Sequence, residues 1–353
     1  MIDQAPTPME LLANWTIQHG ETERKIELLQ GDLSRLPGEH AVDVLIVSAY
    51  PDDYRATERS LIGALDRAGL SVRELSGNKQ ADLRKPYSCW LSKPVDPEFN
   101  FRHILCVEFE WQGVEAAEIT DNLFRALAPY LLSDLPNSSV AMSLIGTGDM
   151  GRPAEEMLTA TLQAAVGWIG RGLPLRVLKI VVKGDEAAKN ARAAFVAFRD
   201  RHQTSKIPPA RAKDETSSPE YDVFMSYSRR QEEMARFAVA ELSNRAAHLR
   251  VFYDRTNLRA GQSWLDQISE VLDSSRRVVA MYSPEYWASE NCKDEFLGAY
   301  ARQKDTGATI LFPIYLSEAK MPYMFASLQY VDCRVNDKSA VAQACAILAQ
   351  ELA

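Results

Sequence analysis

One polar stretch divides this chain into two parts, each long enough to fold as a domain. Residues 202–219 have the sequence HQTSKIPPARAKDETSSP, which contains three prolines and shows no hydrophobic periodicity. A stretch of this composition is typical of a linker between domains. Because the chain has 353 residues and most domains contain ~100–200, we predict one domain at residues 1–201 and a second at residues 220–353. Residues 202–219 would join them.

Strand-like and helix-like runs alternate before this linker. Alternation of this kind predicts an α/β domain in which helices cover a central sheet, although it does not give the strand order. The predicted strands are residues 25–29, 42–49, 70–75, 103–109, 140–145 and 175–182. The predicted helices are residues 57–68, 117–132, 153–171 and 186–201.

The alternation resumes after the linker and predicts a compact parallel sheet of the flavodoxin-like kind. Ser228 and Gln231 have the spacing of a capping box at the start of the first helix. The last helix carries apolar residues spaced four, three and four apart between positions 341 and 352. The predicted strands are residues 222–226, 249–253, 278–282 and 309–316. The predicted helices include residues 231–246, 264–272 and 292–303.

Composition and charge disfavour several classes of function. The net charge is −8, whereas a domain that binds nucleic acid usually presents a basic surface. The first residues, MIDQAPTPMELL, lack the basic region and apolar core of a secretory signal. No segment approaches the ~20 apolar residues that cross a bilayer. We therefore expect a cytoplasmic protein with neither nucleic acid nor membrane as a partner.

The cysteines and histidines do not suggest a metal centre. There are five of each, the cysteines have no C-x-x-C spacing, and the histidines are scattered singly. Such cysteines are typical of reduced thiols in a cytosolic protein rather than disulfides or zinc ligands. We expect no metal site. The cysteines are Cys89, Cys106, Cys292, Cys333 and Cys345.

Three separate segments of the C-terminal domain are expected to meet in one crevice. Residues 227–230 follow its first predicted strand, residues 254–263 follow the second, and residues 283–295 follow the third. In an open parallel sheet, ligands bind at the carboxyl ends of the strands. The candidate aromatic wall is Tyr282, Tyr286 and Trp287, and the candidate cations are Arg229, Arg230, Arg255 and Arg259.

These same segments resemble the signature blocks of Toll/interleukin-1 receptor (TIR) domains. The resemblance covers residues 220–353 and rests on YDVFMSY at 221–227, D-x-x-x-L-x-x-G-x-x-W at 254–264, and S-x-x-Y followed by C-x-x-E at 283–295. It implies that Glu295 is the carboxylate essential for NAD+ cleavage in catalytic members. It also implies that residues 254–264 contribute to self-association into a homo-oligomer. The chain departs from many members at Asn291, where they have tryptophan.

The chemistry of NAD+ cleavage fits a site with one essential carboxylate. Nicotinamide leaves as a neutral molecule, so no general acid is needed, unlike in ordinary glycoside hydrolysis. A single carboxylate can stabilise the oxocarbenium-like transition state. NAD+ would be a substrate, and no cofactor is expected. The residues predicted to bind it are Ser226, Arg229, Arg255, Trp264, Tyr286, Trp287 and Cys292.

Other interpretations of the C-terminal domain stay open. Many TIR domains are adaptors without catalysis, and Glu295 could simply interact with a helix dipole. Its neighbour Asp294 would lie roughly 100° around the helix, so both cannot face the crevice squarely. The same cleavage could also end in cyclisation and yield a cyclic ADP-ribose-like messenger.

A glycine-rich turn is the most informative feature of the N-terminal domain. Residues 143–153, SLIGTGDMGRP, match G-x-G-x-x-G, but the acidic residue that a dinucleotide fingerprint needs about 20 residues later is missing. Residues 25–36, 42–49 and 145–153 instead resemble blocks of the macro domain family, which has a mixed α/β/α sheet. The resemblance implies that a nucleotide or ADP-ribose derivative binds, with Asp32 at the adenine. Gly146, Thr147, Gly148 and Gly151 would wrap a diphosphate.

The N-terminal resemblance also has departures. Ser48-Ala49-Tyr50 stands where the family has an asparagine-containing segment, and no first glycine-rich loop follows. The alternative is a structural turn in a domain that binds no ligand. Taken together, the resemblances predict a sensor joined to an NAD+-hydrolysing effector, as in bacterial antiphage systems, which a ligand or assembly activates. A non-enzymatic TIR scaffold is the alternative from another class.

Overall fold

The computed structural model describes residues 8–19, 22–110, 113–204, 220–253, 271–334 and 337–353. The chain forms two compact units, Met1–Ala212 and Lys213–Ala353. Helical structure continues to Thr204, so the first three residues of the predicted linker belong to a helix. The rest of the predicted linker, residues 205–219, lies outside the described residues.

The N-terminal unit is built on a mixed sheet of eight strands in the order β1-β2-β8-β7-β3-β6-β5-β4. The five strands in the middle, from β2 to β6 in that order, are all parallel. Antiparallel pairs flank them on both sides. The strands are β1 Glu10–His19, β2 Thr22–Gln30, β3 Val42–Ala49, β4 Lys79–Leu83, β5 Cys89–Ser92, β6 Phe101–Glu108, β7 Ser138–Ser143 and β8 Leu175–Val182.

Two of the six helices connect consecutive parallel strands, one between β6 and β7 and one between β7 and β8. The helices are α1 Leu61–Arg67, α2 Val72–Ser76, α3 Arg84–Tyr87, α4 Ala116–Leu132, α5 Ala154–Gly170 and α6 Asp185–Thr204. Short 3-10 turns lie at Leu33–Arg35, Gly38–His40 and Pro97–Phe99. The core is formed by buried aliphatic side chains of the central strands, such as Leu45, Ile104 and Ala141, packed against α1 and its neighbours. The predicted α/β class of this unit is confirmed.

Three details differ from the predictions for this unit. Residues 70–75, predicted as a strand, contain the start of α2, because the Ser71 hydroxyl accepts from the amide of Glu74 and caps a helix. Strand β1 was not predicted, since only one of its ten residues is buried and its sequence shows no clean alternation. The short pair β4 and β5 was missed as well.

The C-terminal unit is a five-stranded sheet in the order β10-β9-β11-β12-β13, with every neighbouring pair parallel. This order, with the first strand second from one edge, is that of flavodoxin-like folds, so the predicted fold class is confirmed. The strands are β9 Tyr221–Ser226, β10 Val251–Phe252, β11 Ser275–Tyr282, β12 Leu311–Tyr315 and β13 Val331–Asp332. Only two residues of the predicted second strand, residues 249–253, are paired.

The helices of this unit follow the predicted pattern where they are described. They are α7 Glu232–Arg245, α8 Pro284–Ala288, α9 Glu290–Thr306 and α10 Lys338–Leu352, with 3-10 turns at Arg229–Gln231 and Tyr323–Phe325. The capping box of Ser228 and Gln231 is present. The apolar positions predicted on the last helix, Val341, Cys345, Leu348 and Leu352, are all buried. The helix predicted at residues 264–272 falls mostly outside the described residues.

Three general observations complete the fold. All five cysteines are buried free thiols. Within the described ranges, no helix is long and apolar enough to cross a membrane. The same ranges contain no cluster of three or more His, Cys, Asp or Glu side chains suited to a metal ion.

Candidate active site

Glu295 lies at the centre of the best-defined polar site in the C-terminal unit. It is the sixth residue of α9, and its side chain is 4% exposed. Its Oε2 atom accepts a hydrogen bond of 2.6 Å from the hydroxyl of Ser226, which is the last residue of β9 and fully buried. The acidic residue in the first turn of α9 is Glu290 instead. A simple helix-dipole role therefore does not account for the position of Glu295.

Two serine caps place the chain between β11 and α9. The Ser283 hydroxyl accepts from the amide of Tyr286 at 3.0 Å and starts α8, with Pro284 at the first helical position. The Ser289 hydroxyl accepts from the amide of Cys292 at 3.4 Å and starts α9. Each cap satisfies an amide that a helix start leaves without an intrahelical partner. The sequence thus sets the direction of α9 and, with it, the placement of Glu295.

Tyr286 lies beneath Ser226 rather than beside a substrate. Its hydroxyl is 2.9 Å from the Ser226 hydroxyl, and its side chain is fully buried. Burial raises the pKa of Tyr286 well above its ordinary range, so the hydroxyl keeps its proton. The predicted stacking of this ring on a ligand does not fit its burial. The structure assigns it a hydrogen bond to Ser226 instead.

Trp287 is also part of the core. It is 6% exposed and packs edge-on against Phe296, with ring centroids 5.1 Å apart, and parallel to Phe325 at 6.3 Å. The ring of Tyr282, on β11, has its centroid 5.2 Å from that of Trp287, and Tyr282 is itself fully buried. The predicted aromatic wall is therefore a packed cluster of buried rings. This cluster includes Phe296, the residue that follows Glu295 on α9.

The structure describes only some of the other residues that were predicted to bind substrate. Arg229 and Arg230 are exposed on the turn that directly follows β9. Cys292 is 1% exposed, three residues before Glu295 on the same helix. Arg255, Arg259 and Trp264 lie outside the described residues, so their predicted roles stay predictions.

Asp32 and the glycine-rich turn lie at the same edge of the N-terminal sheet. They follow β2 and β7, which are parallel strands separated only by β8. The Asp32 carboxylate accepts from the amide and hydroxyl of Ser34 at 2.9 and 2.7 Å, and from Lys183 at 2.7 Å. Although burial opposes ionisation, these hydrogen bonds keep the pKa of Asp32 below its usual range. Lys183 is largely exposed, so a ligand could displace it.

The glycine-rich turn is closed by hydrogen bonds of its own. Gly146 and Gly151 have φ angles of +78° and +64°, which side chains with a Cβ rarely adopt. The Thr147 amide and hydroxyl both donate to the Leu144 carbonyl, and the Gly151 amide donates to Gly148. The amides of Thr147 and Gly151 are thus engaged within the turn. A diphosphate would have to replace these hydrogen bonds to receive the two amides, and the predicted role of the turn stays a prediction.

Thr57, which precedes helix α1, forms a hydrogen bond to the glycine-rich turn. The Thr57 hydroxyl donates to Asp149 at 2.5 Å. The backbone at Thr57 also lies close to helix α1, since a Cβ added at Gly63 would be only 1.8 Å from the Thr57 carbonyl oxygen. Asp149 adds negative charge to a turn predicted to hold an anion. Any diphosphate would have to bind on the side away from it.

A second buried carboxylate, Glu108 at the end of β6, was not predicted from the sequence. It is 6% exposed. Its Oε1 atom accepts from the Tyr54 hydroxyl at 2.5 Å and from the Trp90 indole at 2.8 Å, and Oε2 accepts from the Asp52 amide at 3.2 Å. It borders a cleft of about 360 Å³ with Pro51, Ser88, Phe109, Glu110, Val114, Glu118, Ile119 and Asn122. Nothing in the apolar run before Glu108 distinguishes it from an ordinary strand end.

Comparison with known families agrees with this geometry in the C-terminal unit. Residues 223–346 match the family model described as TIR domain. The chain carries a TIR domain. The matched residues contain both Ser226 and Glu295, so the site described above lies inside this TIR domain. The predicted resemblance of the C-terminal part is confirmed.

Solved structures similar to each part of the chain were also found. The TIR domain of the Toll-related receptor TRR-2 from Hydra magnipapillata is 18% identical, covers 37% of this chain and 98% of its own, and gives a TM-score of 0.31. The Oceanobacillus iheyensis macrodomain with ADP is 14% identical. The match covers 55% of this chain and 100% of that one, with a TM-score of 0.36. The Trypanosoma brucei macrodomain in complex with ADP is 16% identical. The match covers 48% of this chain and 68% of that one, with a TM-score of 0.36. Among curated proteins, none matches this chain.

Proposed function

We propose that the TIR domain cleaves NAD+ into nicotinamide and ADP-ribose, with Glu295 as the catalytic carboxylate. The observation that carries this proposal is the position of Glu295. It is nearly buried, accepts a hydrogen bond from Ser226, and lies close to the carboxyl end of β9, where parallel sheets bind their ligands. A structural carboxylate could satisfy its hydrogen bonds anywhere in the core. This one is at the edge where two of the signature blocks, residues 221–227 and 283–295, meet.

The reaction needs few groups. The bond between the nicotinamide nitrogen and the ribose C1′ breaks, and its electron pair leaves with the nicotinamide, which becomes neutral. The ribose is left with oxocarbenium character, which a nearby carboxylate stabilises in surroundings of low dielectric constant. Water then adds at C1′ and releases a proton, giving ADP-ribose. Capture of C1′ by a group of the substrate itself would give a cyclic product instead.

For the N-terminal unit we propose a binding site for a nucleotide-derived ligand that activates the effector. The support is the placement of Asp32 and the turn around Gly146 at one edge of the sheet, with an exposed lysine that a ligand could replace. A protein of this kind would deplete NAD+ when the ligand appears, as an effector of antiphage defence. Assembly of TIR domains on activation belongs to the same proposal.

The test is nicotinamide release and product mass, measured for purified protein with NAD+ at several protein concentrations. We expect Glu295→Gln to lower release about 100-fold or more, the size of effect seen when a transition-state electrostatic contact is removed. Asp294→Asn is the matched control, because it removes a half-buried carboxylate one position away on α9. Release that survives in Glu295→Gln would refute the assigned role.

The same assay separates the remaining possibilities. A product lighter than ADP-ribose by one water molecule indicates cyclisation. Activity that rises more steeply than protein concentration indicates activation by assembly, whereas a proportional rise contradicts it. A scaffold would release no nicotinamide under any condition, including addition of ADP-ribose or NAD+ derivatives, and its partner binding would be indifferent to Glu295→Gln.

A further inference from the structure

Three side chains from three different elements form a continuous line of hydrogen bonds that ends at Glu295. Tyr286, on α8, lies 2.9 Å from the hydroxyl oxygen of Ser226, on β9. That hydroxyl in turn lies 2.6 Å from Oε2 of Glu295, on α9. Tyr286 and Ser226 are fully buried, and Glu295 is 4% exposed. The line therefore lies in the protein interior, where hydrogen bonds are strengthened by low dielectric constant.

Proton counting fixes the direction of this line when the carboxyl is ionised. An ionised carboxylate only accepts, so the Ser226 hydroxyl must use its single proton on Glu295. Ser226 can then interact with Tyr286 only as an acceptor, and Tyr286 must donate. A distance of 2.6 Å between the hydroxyl and carboxylate oxygens is typical of a charge-assisted bond. Each proton thus points toward the carboxylate.

We propose that Tyr286, acting through Ser226, is a positioning residue that keeps Glu295 ionised and fixes its orientation for the reaction. This inference rests on the proposed NAD+ cleavage by Glu295. Tyr286 would never touch substrate, and Ser226 would contact the carboxylate rather than NAD+. Both residues change from the predicted binding roles to support of the catalytic group.

Such support is needed because burial works against the charge. Removal of a carboxylate from water favours its neutral form, which cannot stabilise an oxocarbenium ion. Hydrogen bonds to the charged form oppose this effect, and a donor that is itself hydrogen-bonded is a stronger donor. Burial raises the pKa of the Tyr286 hydroxyl, so this donor stays protonated wherever the enzyme works. The line supplies a fixed donor that does not depend on water.

Several titratable groups of the described residues lie near this line. The side chains that influence Tyr286 electrostatically are Cys292 on α9 and Tyr282 on β11, in addition to Glu295. The charged neighbours of Glu295 along α9 are Lys293, which is buried, and Asp294, which is half-buried. Tyr286 and Ser226 can each be changed without replacing any of these groups. Tyr286→Phe is the cleaner change, since it removes a single oxygen and keeps the ring packed against Tyr282 and Trp287.

A double-mutant cycle tests whether Tyr286 acts through Ser226. We expect kcat for nicotinamide release to fall about 10-fold in Tyr286→Phe and about 50-fold in Ser226→Ala, with KM changed less than about twofold. The double variant should be little slower than Ser226→Ala alone, because the hydrogen-bonded connection between Tyr286 and Glu295 runs through the serine and only their weaker direct electrostatic interaction remains. Ser226→Thr, which keeps the hydroxyl, should recover most of the rate. Independent, multiplying losses in the double variant would overturn the proposal.

A spectroscopic experiment gives an answer even if the protein does not cleave NAD+. The full chain is labelled with 13C at the glutamate carboxyl carbons, and the Glu295 signal is assigned by its loss in Glu295→Gln. We expect the pH at which this signal titrates to rise in Tyr286→Phe, and to rise further in Ser226→Ala. An unchanged titration in both variants refutes the line as support for the charge. Absence of nicotinamide release from the wild type refutes only the proposed reaction.

Discussion

Two carboxylates, Glu108 in the N-terminal unit and Glu295 in the TIR domain, are almost equally buried but differ in their surroundings. They are 6% and 4% exposed. Glu108 is the last residue of β6, whereas Glu295 is on α9 and contacts Ser226, the last residue of β9. Glu108 is held on both oxygens by donors from Tyr54, Trp90 and the Asp52 backbone. Glu295 receives the hydroxyl of Ser226, which is itself hydrogen-bonded to Tyr286.

The comparison teaches that burial alone does not identify a functional carboxylate. The donors to Glu108 include two large side chains whose own polar atoms need a buried partner, so the carboxylate completes their packing. The donor to Glu295 is Ser226, which has a small side chain and is itself hydrogen-bonded to Tyr286. We interpret the first cluster as a structural feature and the second as support for a reacting group.

The largest effect expected for the N-terminal cluster comes from Glu108→Ala. Loss of the carboxylate leaves the Trp90 indole with only the Tyr54 hydroxyl, 3.2 Å away, as a partner. A buried donor deprived of its acceptor, together with the space left behind, should lower the free energy of unfolding of this unit by about 3 kcal/mol. Hydrogen exchange followed by mass spectrometry should show faster exchange in β5 and β6 but not in β9 and β11.

Glu110→Ala provides the control for this change. Glu110 borders the same cleft and is exposed, so its replacement should change the free energy of unfolding by less than about 0.5 kcal/mol. Nicotinamide release by folded Glu108→Ala should equal that of the wild type. A loss of release without a loss of stability would show that Glu108 is functional, and the contrast with Glu295 would fail.

A smaller effect is expected for Tyr54→Phe, and it should depend on pH. Burial, and then the hydrogen bond to Glu108, raise the pKa of Tyr54. A raised pKa in the folded state means that the stabilisation is fully present below the unfolded value of about 10 and is lost as pH rises above it. Tyr54→Phe should therefore lower the free energy of unfolding by about 1.5 kcal/mol at pH 7. The difference in this free energy between the variant and the wild type should become smaller above pH 10.

Denaturant unfolding at pH 7 and at several values above pH 10 measures this gap. Tyr50→Phe is the control, because Tyr50 is 47% exposed and lies only four residues away. A gap of constant size across this range would mean that the Tyr54 hydroxyl titrates no differently in the folded and unfolded chains.

The smallest effect concerns Asp32, whose partner Lys183 is largely exposed. The pKa of Asp32 is lowered in the folded protein, so its contribution is present above the unfolded value of about 4 and is lost as pH falls through the folded value. Asp32→Asn should lower the free energy of unfolding by about 0.5 kcal/mol near pH 6 and by less near pH 2. The exposed Asp66→Asn is the control, and an equal change at both pH values would contradict the expectation.

Much of the fold could be predicted from local sequence patterns. Strand β8 and the four apolar positions of α10 have the predicted bounds and burial, because hydrophobic periodicity reports directly on the face that packs. The error at α2 has an equally local cause, since the Ser71 cap overrides the strand preference of its apolar residues. Strand β1 was missed because only one of its ten residues is buried, so the alternation that marks a half-buried strand is absent.

The candidate site was predicted in part. The motif placed Glu295 and Ser226 in one crevice, and the structure brings them into contact. The roles of Tyr286 and Trp287 could not be predicted, because an aromatic residue beside a motif can equally line a ligand site or fill the core. Only packing against Phe296 and Phe325 shows that Trp287 does the latter.

The sequence by itself determined most of the central strands and long helices, the division into two parts and the TIR signature, since these depend on local spacing and residue type. The tertiary structure alone decided that Tyr286, Ser226 and Glu295 form one line of hydrogen bonds. Ser226 lies 60 residues from Tyr286 and 69 from Glu295 along the chain. The physical reason is that such contacts depend on how β9, α8 and α9 pack together to within a few tenths of an ångström, which no local pattern specifies.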